Sequence, residues 1–183
     1  MDAIVAPFGG CNLRCRGCYY AGDLQGESAG PQRLNAIVSQ LKALDVYHVF
    51  PAGKGEPFHD ERGRRALFAV ACRNPQMFFT VYSNGTNITE QDLNKLKAHP
   101  NVLPIISIDG PQPINDWRRG AGVYEKVIGL MGCVHARGMF FGFISTVFNQ
   151  NLDAVVEMGF IEQMAGLGCQ VGYYSLFVAP RRF

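Results

Sequence analysis

Ala3-Ile-Val-Ala-Pro-Phe8 leads through Gly9-Gly10 into Cys11-Asn-Leu-Arg-Cys15-Arg-Gly-Cys18, an apolar run that ends in a loop with three thiols inside eight residues. The run reads as a strand and the loop as the place where its chemistry sits. Working outward, the same arrangement returns five times. Residues 46–50 form a second apolar run and end at Pro51-Ala-Gly53-Lys-Gly55-Glu56-Pro57. Residues 78–82 end at Ser83-Asn84-Gly-Thr86, and residues 102–108 end at Asp109-Gly-Pro111. Residues 140–147 and 171–178 complete the set of six.

Between these runs the apolar period changes to that of a helix. Pro31 suits a first helical turn, ahead of Leu34, Ile37, Val38 and Leu41. Asp60 is placed to cap a second helix, and Thr89 with Asp92 forms a capping box for a third. A fourth carries Tyr124, Val127, Ile128, Met131 and Val134 on one face. A fifth carries Leu152, Val155, Val156 and Met164 and stops at Gly168. Strands that alternate with helices build a parallel sheet. The reading is therefore α/β, with the strands wound into an open sheet or a barrel and residues 1–183 as a single domain. The unusual residues repeatedly follow a strand, and ligands bind at the carboxyl ends of strands in such folds.

Composition excludes several classes. A formal charge of +2 over 183 residues offers no polyanion-binding surface, and the arginine pairs Arg118-Arg119 and Arg181-Arg182 make no basic stripe. No nucleic-acid partner is expected. No apolar stretch reaches the ~20 residues of a membrane span, and no charged leader with an apolar run opens the chain. The expectation is a cytoplasmic protein without a membrane partner. Cys72, Cys133 and Cys169 stand singly among apolar or helical residues, and free cysteine is usually a small buried hydrophobe.

Soft thiolates select iron–sulfur clusters, zinc or Cu(I). Structural zinc wants four ligands, commonly two separated pairs, and no second Cys or His pair exists here. A [4Fe–4S] cluster also normally takes four cysteines, so three thiols in CxxxCxxC leave one metal position open. An open position is what a catalytic metal keeps for its substrate. No strand is followed by G-x-G-x-x-G or by a P-loop, so nucleotide-binding readings lack their fingerprints.

CxxxCxxC in a loop after the first strand resembles the signature of the radical S-adenosylmethionine (SAM) superfamily. The resemblance extends over about residues 3–180 and favours members of the peptide-modifying and sulfatase-maturing type. It implies an α/β fold of the partial (β/α)6 parallel barrel, open TIM-like type, and a [4Fe–4S] cluster on Cys11, Cys15 and Cys18, with SAM chelating the open iron. One electron then cleaves SAM to methionine and a 5′-deoxyadenosyl radical, which abstracts hydrogen from a substrate. Gly53-Lys-Gly55-Glu56-Pro57 looks like the segment that meets the SAM amine, and a carboxylate beside an ammonium is a strong pair. Ser83-Asn84-Gly85 resembles a turn after the third strand. Ser107-Ile-Asp109-Gly-Pro111 resembles a segment near the SAM ribose and methionine. In Asn115-Asp-Trp-Arg118-Arg119-Gly, Arg119 matches an arginine that pairs with the SAM carboxylate, with Arg118 as its neighbouring alternative; a planar guanidinium suits that task. Thr146, Tyr174 and Phe177 are further candidates to border adenine or substrate.

Two departures from the family pattern stand out. The residue before the third cysteine is usually aromatic and near adenine, whereas this chain has Gly17; Tyr19 or Tyr20 is the expected replacement. The chain also runs no further than its sixth strand, without a C-terminal extension, so a homodimer could cover the open side. The resemblance implies a low-potential electron donor, flavodoxin or ferredoxin, and a peptide, protein or small-metabolite substrate. A non-enzymatic iron–sulfur electron-transfer module or a SAM-binding module is the alternative. Either would hold the thiols without consuming SAM.

Overall fold

The computed structural model describes residues 1–21, 24 and 26–178; Arg181-Arg182 lies outside them. Among the described residues there are six strands: β1 (Asp2–Val5), β2 (His48–Pro51), β3 (Phe78–Ser83), β4 (Val102–Ser107), β5 (Gly142–Val147) and β6 (Val171–Leu176). The helices are α1 (Pro31–Ala43), α2 (Glu61–Arg73), α3 (Glu90–Ala98), α4 (Gln112–Arg119), α5 (Val123–Ala136), α6 (Leu152–Val156) and α7 (Met158–Gly166). The strands hydrogen-bond in the order β1-β2-β3-β4-β5-β6. The β1–β2, β2–β3, β4–β5 and β5–β6 pairs are parallel. This sequential order is the topology of the α/β partial (β/α)6 barrel that the sequence predicts. By contacts the chain divides into two units, Met1–Asn12, Asp23–Ser83 and Asn87–Pro104, and Leu13–Gly22, Asn84–Thr86 and Ile105–Phe183.

In the first unit β1 stops at Val5 rather than running on to Phe8, because Pro7 has no N–H to give a ladder. The Pro7 carbonyl instead accepts the Ala29 N–H at 2.6 Å. The expected caps form. Asp60 accepts the Gly63 N–H at 2.6 Å, and Thr89 and Asp92 close a reciprocal capping box. Leu34 and Val38 of α1, Leu67 and Val70 of α2, and Val49, Phe79 and Val81 of the strands are fully buried. They form the apolar layer that fixes the strand ends.

In the second unit the segment after β4 is two helices, not one. Gly120 (φ +116°) and Gly122 (φ +75°) take conformations that only glycine adopts easily, and they separate α4 from α5. The Asp116 carboxylate bridges the break, accepting the N–H groups of Gly122 (2.9 Å) and Tyr124 (2.8 Å) at the start of α5. The predicted fifth helix is likewise split: Glu157 is extended (ψ 138°) after the β-branched pair Val155-Val156, which favours helix weakly. Gly168 ends α7 at φ +92°, with Cys169 N–H on Met164 C=O and Gly168 N–H on Ala165 C=O, a Schellman motif.

The scattered cysteines correct an expectation. Cys72 and Cys133 are exposed and Cys169 is half-buried. On α2 the buried stripe runs through Leu67, Val70 and Ala71, and on α5 through Val127, Leu130, Met131 and Val134. The helical turn carries Cys72 and Cys133 away from those stripes. Burial raises the Cys169 thiol to about 12, so it is an unreactive thiol at neutral pH.

Gly129 and Gly132 lie inside α5 with open space where a Cβ would go. Replacing either by Ala should stabilise the protein by about 0.5–1 kcal/mol, because glycine loses most entropy in a helix. A rise in the thermal midpoint by circular dichroism checks this; a fall would mean that these positions are packed.

Candidate functional site

In the first unit the segment after β2 is shaped by two glycines, Gly53 at φ +111° and Gly55 at φ +89°. The Glu56 N–H donates to Gly10 C=O at 2.7 Å, tying this segment to the chain just before Cys11. Glu56 is buried and Pro57 beside it is buried too. The Glu56 Oε1 accepts the Ser83 hydroxyl (2.7 Å) and the Phe58 N–H (3.1 Å). Both of these donors are neutral groups, and together they orient the buried carboxylate. The chain before Cys11 is anchored again through Ser28, which accepts the Gly9 N–H and donates to Asp60 at 2.8 Å.

In the second unit the cysteine loop turns at Cys15–Cys18, where the Cys18 N–H donates to the Cys15 carbonyl at 3.1 Å. The Arg16 N–H reaches the Arg118 carbonyl at 2.7 Å, which fastens this turn to α4. Behind it lies a charged knot. Asp109 is wholly buried and takes Arg118 Nη1 at 2.7 Å, Arg119 Nε at 2.6 Å and Arg119 Nη2 at 3.2 Å. The Thr146 N–H adds a bond of 2.8 Å. Burial by itself would raise the Asp109 pKa, but the Arg119 and Arg118 charges and these hydrogen bonds outweigh it and hold the carboxyl below its usual range. The Cys15 thiol is raised, chiefly by burial, against the lowering pull of Arg119 and Arg118.

Asn115 and Asn151 complete the knot, both fully buried. Asn115 Oδ1 accepts the Asp109 N–H. Asn151 donates to the carbonyls of Asp109 and Thr146, each at 2.9 Å, and accepts the Phe148 N–H at 2.7 Å. Three hydrogen bonds converge on one buried amide. The sequence reading missed Asn151, since a lone Asn after a strand is an ordinary loop residue; its only signal was its place one residue before an expected helix. Asn151→Ala should cost about 2 kcal/mol, because the partner groups stay buried and unsatisfied. Urea unfolding measures it, and a change below about 0.5 kcal/mol would mean that water replaces the amide.

Ser107 ends β4, half-buried, and Asn84 accepts the N–H and hydroxyl of Thr86 in a local turn closed by Gly85 (φ +73°). Also in the second unit is a cavity of about 540 Å³ lined by Arg16, Gly17, Trp117, Arg118, Phe148 and Phe177, among others. Arg118 borders it and Arg119 does not. Tyr19 is also absent from its lining; it is exposed and packs edge to face on Tyr20, with ring centroids 5.1 Å apart.

The Radical SAM superfamily model matches residues 5–159. The chain belongs to this superfamily. Members of it bind a [4Fe–4S] cluster and SAM. A curated relative, the cysteine-type anaerobic sulfatase-maturating enzyme of Clostridium novyi (strain NT), is 26% identical over 163 residues, covering 80% of this chain and 43% of that one. Among solved structures, Streptococcus suis SuiB bound to precursor peptide SuiA superimposes with a TM-score of 0.84 at 16% identity, covering 97% of this chain and 39% of SuiB. The anSMEcpe structure with bound AdoMet gives 0.77 at 19% identity, covering 98% and 53%. At these identities the structures establish a common fold. The chain thus spans about half, or less, of the length of these relatives.

The radical SAM donor set is present in kind. Cys11, Cys15 and Cys18 are part-exposed cysteines outside any disulfide, as a cluster that exchanges thiol protons for iron requires. Among the described residues no three His, Cys, Asp or Glu side chains are already gathered as a ligand group. The glycine cradle at Gly53–Gly55 and the oriented Glu56 carboxylate match a ligand that carries an ammonium group.

Proposed function

We propose that this chain is a radical SAM enzyme acting on a peptide or protein, with residues 1–183 serving as its single radical SAM core domain. The observation that carries the reading is the CxxxCxxC spacing of Cys11, Cys15 and Cys18 after β1 in a chain of this superfamily. Cys11, Cys15 and Cys18 would hold the cluster. Gly53, Gly55, Glu56 and Pro57 would receive the SAM amine, with Ser83 orienting Glu56. Ser107 and Asn84 would border SAM at the ends of their strands. Asp109, Arg119 and Thr146 form a fixed support, and Arg118, which borders the cavity, is the guanidinium we assign to the SAM carboxylate. When bound, the reduced cluster would supply the one electron that splits SAM into methionine and a 5′-deoxyadenosyl radical, and that radical would take a hydrogen atom from the substrate.

Support for a peptide substrate comes from the relatives: SuiB was solved with a precursor peptide and the Clostridium novyi protein is a sulfatase-maturating enzyme. The proposal includes flavodoxin or ferredoxin as electron donor, a cytoplasmic location and a homodimer. Among the described residues no helix is long and apolar enough to cross a membrane.

The test is anaerobic reconstitution with iron and sulfide, followed by SAM and dithionite, with 5′-deoxyadenosine measured by mass spectrometry. Wild type should produce it and Cys15→Ala should not, since a cluster with two cysteine ligands is not retained. An intact wild-type cluster without deoxyadenosine would overturn the enzyme reading.

A further inference from the structure

Gly17 lies in the Cys15–Cys18 turn at φ +67°. A Cβ placed on it would stand 2.6 Å from Cε2 and 2.8 Å from Cζ of Phe177. The Phe177 ring, arriving just after β6, therefore fills the volume that a side chain at position 17 would occupy. Its backbone is fixed there by the Phe177 N–H on Val147 C=O at 2.8 Å. Phe177 is still 37% exposed, and it lines the 540 Å³ cavity.

Other walls of that cavity are flat and cationic. Trp117 and Phe148 stack with centroids 5.9 Å apart and planes 29° apart. The Arg16 guanidinium lies 5.0 Å from the Trp117 centroid, and that of Arg118 lies 6.0 Å from the Phe148 centroid. Aromatic faces with a few polar groups at the margin suit a flat heteroaromatic ligand with a charged tail, and the volume is that of a small-molecule site. Tyr19 and Tyr20 are occupied with each other, and neither lines the cavity.

We propose that Phe177, a residue far in sequence from the cysteine loop, supplies the aromatic wall against which the adenine of SAM lies beside Cys18. The inference rests on the SAM-binding reading above and assigns one of its contacts. Gly17 and Phe177 act as a pair: the missing side chain in the turn makes room for the ring from β6.

Anaerobic equilibrium dialysis of the reconstituted protein tests it, with SAM and methionine as separate probes. Iron and sulfide content are read in parallel. Phe177→Ala should weaken SAM binding roughly ten- to a hundred-fold, the loss expected for one aromatic partner of a base. Phe177→Leu fills the space against Gly17 without a flat face and should also weaken SAM. Phe177→Tyr should bind SAM close to wild type. Methionine binding and iron content should be unchanged in all three, because neither involves the adenine wall. SAM affinity unchanged in Phe177→Ala, or restored by Leu, would overturn the assignment, as would a parallel loss of methionine binding. A wild type with full iron content that binds no SAM would overturn the SAM-binding reading as well, which separates the two failures.

Discussion

Asp109→Asn should lower the thermal midpoint by on the order of 10 °C, the largest stability effect expected of any single change in the second unit. Asp109 is fully buried and its carboxylate is shared by two guanidiniums that are themselves 8% exposed. Asn keeps the size and can still accept hydrogen bonds, but it removes the negative charge. Two buried cations then face each other across a neutral amide. Removing one partner of a buried ion pair costs about 3–5 kcal/mol because the remaining charge is uncompensated. At this chain length each kcal/mol moves the midpoint by about 2–4 °C.

The pH dependence has a definite sign. The folded Asp109 pKa lies below the unfolded value of about 3.9. Its stabilisation is therefore complete above that value and is lost as pH falls through the lowered folded value. Wild type and Asp109→Asn should differ most near neutral pH and converge in acid. Melting curves from pH 7 downward read this directly. A gap that stays constant with pH would mean that the arginines find their counter-charge elsewhere.

The elements that the sequence announced are those written in local chemistry. A capping residue acts on N–H groups two or three positions away, so Asp60 and Thr89 could be read from their neighbours, and both caps form. Gly168 was legible for the same reason, since a helix stop needs a positive φ at one position. Most strand ends were legible because apolar runs meet glycine or polar residues there; the end of β1 was not, since Pro7 stops it at Val5 within the apolar run. The site residues that were missed act over long separations. Asn151 holds the Asp109 carbonyl from 42 positions away, and no spacing within a helix or strand points to it. Phe177 was legible as a candidate to border adenine or substrate, but its place on Gly17 was not, because that is set by how β6 lies beside β5. The exposed Cys72 and Cys133 show the opposite error. Composition suggested burial, but helical phase decides which face a residue takes.

Gly55→Ala should cost about 3 kcal/mol or more and disable the segment that holds Glu56. Two penalties act together. Gly55 sits at φ +89°, where an L side chain is strained. A Cβ there would also be 2.7 Å from the carbonyl oxygens of both Gly10 and Phe8, and backbone atoms cannot swing aside as a long side chain can. Relief requires the segment to lift from the chain before Cys11, which breaks the Glu56 N–H bond to Gly10 at 2.7 Å. The Glu56 carboxylate then leaves the Ser83 hydroxyl and the Phe58 N–H. Two readouts separate strain from site damage. Urea unfolding should show the stability loss in the protein without added SAM. Ser83→Ala, which removes one donor to Glu56 without backbone strain, should lose only about 1 kcal/mol while sharing part of the loss in SAM binding. If Gly55→Ala unfolds like wild type, the segment is free to move, and the close approach to Phe8 and Gly10 does not hold Glu56 in place.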